Sequence, residues 1–248
     1  MKKITLLFIL SLTITSISYS QSKFGKKKID KEVISYNITG EIEGLQDTSV
    51  ILAYYFGGKQ YATDTAQSVN GNFTFKGDKE LKGGMYLVVL PNQQYFDIIV
   101  SENKFSFSTK LNDLVGAMTF KNSKENTPFY AYLKFITQMQ KEVTPIRQKM
   151  ENATGEEKEN LQQIAKEIDN KVKNYRANFM KENADVFFTK IVQATTEIEI
   201  PESPLDSTGN PDKTFPYRFY KKHFWDNSDF SDERMLRTPI FFNKMDQY

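Results

Sequence analysis

Residues 36–42 carry the sequence Tyr36-Asn37-Ile38-Thr39-Gly40-Glu41-Ile42. Large apolar side chains alternate there with polar ones, which is the pattern of a β-strand with one buried face. Further short runs rich in β-branched and aromatic residues follow, separated by turn residues; they cover residues 50–55, 60–65, 72–76, 85–90, 95–100, 104–109 and 118–121. This series of short strands predicts an antiparallel β-sandwich or a partly open barrel.

The strongest turn signal is Asn70-Gly71, which stands directly before the run Asn72-Phe73-Thr74-Phe75. Asn and Gly both tolerate the positive φ angles of a two-residue hairpin, so we predict a tight turn at this position. Two glycine pairs, Gly57-Gly58 and Gly83-Gly84, also separate predicted strands. They lack the pattern of a phosphate-binding loop, and we interpret them as turns that separate strands.

From Asn122 onward the apolar residues recur at helical spacing. Asn126-Thr127-Pro128 predicts the start of a helix, and Pro145 predicts a kink or the end of its first segment. A second helix is predicted from about Thr154 to Phe179 and a third over residues 183–195. The fold class is therefore α+β, with the sandwich or barrel followed by a helical region containing long amphipathic helices.

The first residues have the features of a secretory signal peptide. Lys2 and Lys3 precede an apolar stretch over residues 4–17, and small residues at the end of 1–20 predict cleavage before Gln21. Because the chain has no cysteine, a lipoprotein-type signal is excluded. We expect secretion across the inner membrane to the periplasm or cell envelope, with no transmembrane span left after cleavage.

The sequence suggests several further boundaries. Prolines and polar residues interrupt the pattern over residues 200–216, and the last residues are apolar without a polar terminator, which predicts that the chain stops inside a helix. The expected organisation is a signal peptide at 1–20, a polar lead-in at 21–32, a β-sandwich-like domain at 33–121, a helical region at 122–199, a Pro-rich loop or linker at 200–216, and the truncated start of a helical domain at 217–248.

Composition excludes several kinds of chemistry. With no cysteine and a single histidine, His223, the chain has no thiol chemistry and little imidazole chemistry to offer. Lys and Arg number 33 against 31 Asp and Glu, and removal of Lys2 and Lys3 leaves 31 against 31. A neutral mature chain is not expected to bind nucleic acid. Residues 226–233 are rich in carboxylates but lack the spacing of a calcium loop, so we predict no metal and no cofactor.

The strongest candidate for a binding surface is the aromatic and basic stretch at 217–225. Its side chains could form a ligand-binding platform by stacking, but helical spacing would also bury part of the aromatic set in a core and leave the basic groups in water. Both interpretations stay open. The candidate ligand or partner surface comprises Tyr217, Arg218, Tyr220, Lys221, His223 and Trp225.

The order of these features resembles a known arrangement. The segments 36–42, 50–55 and 70–75 resemble the N-terminal β-rich domain of unknown function that precedes thioredoxin-like domains in Gram-negative envelope proteins. Residues 217–248, including Tyr220-Lys221-Lys222-His223-Phe224-Trp225-Asp226-Asn227, resemble the start of the helical domain of unknown function that often follows it. In such relatives a TlpA- or AhpC-like thioredoxin domain with a Cys-x-x-Cys pair performs thiol-disulfide exchange.

The resemblance implies a function but transfers no catalytic residue, because this chain has no cysteine. It implies a non-catalytic accessory module of an envelope thioredoxin-like oxidoreductase, which positions the redox domain or recognises its client and so contributes to cell redox homeostasis. The chain would then be a fragment of a longer oxidoreductase or a natural stand-alone version of the accessory region. The alternative is an independent envelope protein that binds a glycan, a peptide or a protein partner.

Overall fold

A computed structural model describes residues 34–205 and 207–248. The predicted signal peptide and polar lead-in lie outside the described residues. In the described ranges every predicted strand forms, close to its predicted limits. The strands are β1 (Tyr36–Glu43), β2 (Thr48–Phe56), β3 (Lys59–Ser68), β4 (Asn72–Gly77), β5 (Gly84–Val89), β6 (Tyr95–Val100), β7 (Lys104–Lys110) and β8 (Thr119–Lys121).

The strands form two four-stranded sheets that do not close into a barrel. One sheet has the order β4-β1-β7-β8 and the other the order β3-β2-β5-β6. The arrangement is sandwich-like, which is the first of the two predicted alternatives. Most neighbours are antiparallel as predicted, but β1 and β7 pair in parallel. These two strands are joined by no hairpin, so no short turn forces them to run in opposite directions.

The Asn70-Gly71 turn has the predicted geometry. The φ angle is 49° at Asn70 and 79° at Gly71, as a two-residue type I′ hairpin turn requires. A Cβ atom on Gly71 would lie 2.4 Å from the carbonyl oxygen of Ile42. The backbone of the turn therefore packs directly on the end of β1, and Gly71 is the residue type that fits there.

The space between the sheets is filled by aliphatic and aromatic side chains. Phe73 and Phe75 of β4 lie in edge-to-face contact with ring centroids 5.4 Å apart, and Phe96 meets Phe107 across the sheets at 5.5 Å. Such geometry adds to the area that the rings bury. Gly40 leaves room for two of these rings, because a Cβ atom there would lie 2.4 Å from Phe73 and 2.7 Å from Phe107.

Helices cover the second sheet on its other side. The helices are α1 (Asn126–Met150), α2 (Gly155–Glu182), α3 (Phe187–Ala194), α4 (Phe215–His223) and α5 (Pro239–Gln247), with 3₁₀ segments at Pro91–Gln93 and Glu233–Arg237. All residues of β5 except Val89 are buried, as expected for a strand covered on both faces. Phe129, Phe187 and Phe188 share one hydrophobic cluster with the strands. The β-rich and helical regions thus pack together.

Two helical predictions need correction. Helix α1 continues through Pro145 to Met150 rather than ending its first segment at the proline. It pairs with α2, and the stacked rings of Phe135 and Tyr175, 3.7 Å apart, lie at the contact. The third helix begins at Phe187, four residues later than predicted. The reason is that Asn183 ends α2, its N–H bonded to the carbonyl of Phe179, so residues 183–186 form the turn between the two helices.

Candidate functional site

The C-terminal segment, residues 215–248, frames a groove together with the chain that leaves α3. Both of its helices start with a proline in their first turn, Pro216 in α4 and Pro239 in α5, where the missing N–H costs nothing. Between them the chain makes a 3₁₀ segment whose preceding residue, Asp232, accepts the N–H of Arg234. The predicted aromatic and basic stretch therefore lies on α4 and at its C-terminal end.

The six residues of the predicted surface have different surroundings. Tyr217 is 68% exposed. The Arg218 guanidinium pairs with Asp212 at 2.5 Å, and Lys221 lies over the ring of Tyr248, 3.4 Å from its centroid. Nδ1 of His223 is 2.5 Å from Asp226, and its ring packs on Phe219.

Trp225 supports the packing interpretation of this stretch. Its ring contacts Phe224 at 5.0 Å and Phe230 at 5.5 Å between centroids, and it also meets Phe241 and Tyr248. Phe224 is only 3% exposed. Phe224 and Trp225 thus pack against other rings of the protein, whereas Tyr217 and Tyr220 remain exposed. Of the six predicted residues, Tyr220 lines the groove described next.

The groove runs between α4, α5 and the chain that leaves α3. Its volume is about 500 Å³, within the range of roughly 300–1,000 Å³ typical of ligand sites. One wall is a single face of α5, with Ile240, Asn243, Lys244 and Gln247 at helical spacing. The other walls comprise Ala194, Thr195, Thr196, Glu197, Ile198, Ile200, Tyr220 and Phe224.

Lys244 is the charged group of the groove. Its ammonium donates hydrogen bonds to the carbonyl oxygens of Ala194 at 3.1 Å and Phe224 at 3.0 Å. It also lies 4.8 Å from the ring centroid of Phe224 and 5.5 Å from that of Trp225, at distances where a cation is attracted to an aromatic face. Within the described residues no carboxylate pairs with it, and burial lowers its pKa.

The segment 197–200 lines the groove with three of its residues, Glu197, Ile198 and Ile200. It belongs to no helix or strand, and Ile198 and Ile200 alternate with Glu197 and Glu199. The backbone N–H and C=O groups of these four residues make no hydrogen bond within the described part of the chain. The Glu199 carboxylate is engaged by Lys173 at 3.4 Å. Glu197 also lines the groove and makes no ion pair within the described residues.

The acidic cluster near residue 229 serves another purpose. The Lys190 ammonium lies 2.8 Å from carboxylate oxygens of both Asp229 and Asp232, and Arg234 adds a second cation to Asp232. Its hydrogen bond to Lys190 holds the pKa of Asp229 at about 2. The pair therefore ties the C-terminal segment to α3. No group of three or more His, Cys, Asp or Glu in the described residues has an arrangement that could hold a metal ion.

A second unusual carboxylate, Asp97, lies between the sheet and α1. One of its oxygens accepts the Tyr55 O–H at 3.0 Å, and its backbone carbonyl accepts the Tyr130 O–H at 2.9 Å. Burial raises the pKa of the Asp97 carboxyl, opposed by the Tyr55 hydrogen bond, and burial also raises the pKa of both tyrosines. We interpret this trio as a polar contact that attaches α1 to β6.

Sequence reasoning missed the main features of the groove. Lys244 follows Ile240 by four residues, which places both on one face of a helix, but nothing in the sequence indicated which face stays uncovered. The alternation at Thr196–Ile200 was a second available signal, since period-two patterns mark strand-like segments. It was overlooked because it lies between a predicted helix and a predicted linker.

Comparison with known proteins gives limited additional information. No helix in residues 34–205 and 207–248 has the length and apolar character needed to cross a membrane. Neither a curated protein nor a solved structure matches the chain significantly. Residues 36–129 match the model of a family described as a domain of unknown function, DUF4369. The match takes in all the strands and the first residues of α1, so the β-rich part of the chain is similar to this family.

Proposed function

We propose that the chain is a non-catalytic binding module of the cell envelope that works with a thioredoxin-like thiol-disulfide oxidoreductase. In this role it holds a polypeptide, either the client of the oxidoreductase or part of the oxidoreductase itself. Localisation rests on the predicted signal peptide, and the redox association rests on the sequence resemblance. The lack of any cysteine and the match to a domain of unknown function are compatible with a chain that performs no chemistry.

The groove is the observation that carries the binding function. It combines apolar walls, including Ile198, Ile200 and Phe224, with the unpaired ammonium group of Lys244. A largely apolar concave surface with a few placed polar groups is the usual form of a binding site. No comparable group of side chains in the described residues suggests a reaction. Binding is therefore the function that the geometry supports best.

A fluorescence titration tests this proposal. Trp225 is the only tryptophan of the chain and lies beside Lys244, so its emission reports on the groove. The probe is a reduced, thiol-blocked and tryptophan-free unfolded polypeptide that stands in for a client. We expect saturable binding that Lys244→Met weakens at least fivefold and that Lys222→Met, on the exposed side of α4, leaves unchanged. Equal effects of the two substitutions, or no binding, would refute the groove as the site.

The redox association needs a separate measurement. The rate at which a TlpA-type thioredoxin domain reduces a disulfide-containing client is measured with and without this chain. We expect the intact chain to change the rate and Lys244→Met to remove that effect. If the chain binds the client but never affects the rate, the alternative of an independent envelope binding protein is favoured. The glycan version of that alternative predicts binding of oligosaccharides and no response to unfolded polypeptide.

A further inference from the structure

We infer that the groove recognises the free C-terminal end of an extended polypeptide, whose terminal carboxylate pairs with Lys244. The inference rests on the proposed binding function and adds the chemical class of the ligand. Two independent features of the groove carry it. One is the unpaired charge on α5, and the other is the unpaired backbone at 197–200.

The positive charge of Lys244 favours a ligand with an anionic group. Two of the three N–H donors of Lys244 are used by main-chain carbonyls, which leaves one donor free, and no carboxylate of the described residues forms an ion pair with it. The rings of Phe224 and Trp225 lie close on its protein side. A carboxylate entering the groove would therefore meet a cation that water only partly solvates, which strengthens the interaction.

The backbone of 197–200 offers hydrogen-bonding groups that a peptide backbone can pair with. Its N–H and C=O groups are unpaired within the described residues, and an extended peptide can pair with such groups by strand addition. Ile198 and Ile200, two residues apart, line the groove together with Glu197. Alternate positions are the spacing at which side chains of an added strand fall on one face.

The wall formed by α5 has polar side chains at a spacing close to the two-residue repeat of an extended peptide. Asn243 and Gln247 are four residues apart on α5 and line the groove, so about 6 Å of helix rise separates them. An extended peptide repeats every two residues over roughly 6.6 Å. The two side-chain amides can thus bond to the ligand backbone at alternate residues. A fatty acid has the same terminal carboxylate, but it has no amide groups to bond to the 197–200 backbone or to Asn243 and Gln247. We therefore assign a peptide.

The test uses peptides with and without the terminal charge. The probe is a pool of tryptophan-free octapeptides with randomised apolar residues at the last four positions, prepared once as free acids and once as C-terminal amides. Binding is followed by Trp225 emission, and the best binders are isolated and measured singly. We expect the acids to bind at least tenfold more tightly than their amides, as the loss of one charge-assisted hydrogen bond predicts.

Variants identify the partner of the carboxylate. Lys244→Met should remove the difference between acid and amide, Lys244→Arg should keep most of it, and Lys222→Met should not affect it. Circular dichroism of each variant checks that the protein remains folded. Methylation of alternate amide nitrogens of the best peptide should weaken binding with a period of two, because only one set of N–H groups faces the 197–200 backbone.

Each other outcome contradicts the inference in a distinct way. Equal binding of acids and amides would overturn carboxylate recognition and leave the proposed polypeptide binding intact. Decanoate binding as tightly as the best peptide acid would show that the groove takes a lipid. If no peptide binds although the unfolded client does, the groove does not recognise chain ends. If neither binds, the proposed function fails as well.

Discussion

Replacement of Glu125 tests how the helices are attached to the sheets. Its side chain is 5% exposed, and its carboxylate accepts the backbone N–H groups of Phe187 at 2.8 Å and Phe188 at 3.2 Å. These are the first residues of α3, so a distant glutamate caps this helix. Glu125→Ala leaves two buried N–H groups without an acceptor, at about 1–3 kcal/mol each. We therefore expect the free energy of unfolding to fall by about 3 kcal/mol.

Urea unfolding followed by circular dichroism measures this loss. Glu125→Gln keeps one acceptor oxygen and should lose roughly half as much. Glu159→Ala, on the exposed face of α2, is the matched control and should change the free energy of unfolding by less than about 0.5 kcal/mol. Amide exchange at Phe187 and Phe188 should accelerate in Glu125→Ala alone. A loss below about 1 kcal/mol, or unchanged exchange at these two amides, would refute the capping role.

Three further predictions concern stability and its dependence on pH. Gly71→Ala should lower the free energy of unfolding by about 2–4 kcal/mol in urea, because it adds left-handed strain and a clash with β1. Burial raises the folded-state pKa of Asp97 above 3.8, so the stability gained by Asp97→Asn relative to wild type should grow as the pH rises from 3.8. Hydrogen bonds from Lys190 and Ser231 lower the pKa of Asp229 from 3.8 to about 2, so this group stabilises the fold above pH 3.8 and loses that effect as the pH falls towards 2. In Lys190→Met an NMR titration should show the pKa of Asp229 moving back towards 3.8, with a smaller loss of stability in acid.

Most of the strand pattern was predictable from the sequence because it is local. Residues 36–42 and 72–76 alternate at period two, and the Asn70-Gly71 turn that precedes β4 depends only on which residues tolerate positive φ. The parallel pairing of β1 with β7 was not predictable in this way. No turn joins the two strands, so their relative direction is decided by how the whole sandwich packs.

In the helices too, limits set by nearby residues were predictable from the sequence, and limits set by distant residues were not. The start of α1 at Asn126 was predictable from Asn126-Thr127-Pro128. The start of α3 was not, because its cap is Glu125, 62 residues earlier in the chain. The continuation of α1 through Pro145 was not predictable, for a related reason. The cost of a proline within a helix is local, whereas the packing of α1 on α2 that outweighs it depends on Tyr175 and other partners on a distant segment.

The groove shows why a functional site can escape a search for conspicuous residues. The aromatic and basic stretch at 217–225 drew attention by composition, yet Phe224 and Trp225 contribute mainly by packing, and in doing so they form the surface against which Lys244 rests. An ammonium group in that position costs folding free energy, since burial disfavours its charged form and no carboxylate in the described residues offsets the loss. A carboxylate bound in the groove would offset it and would raise the pKa of Lys244. The unfavourable placement of one lysine in the free protein is therefore the same feature that, in our proposal, would make the groove selective for an anionic chain end.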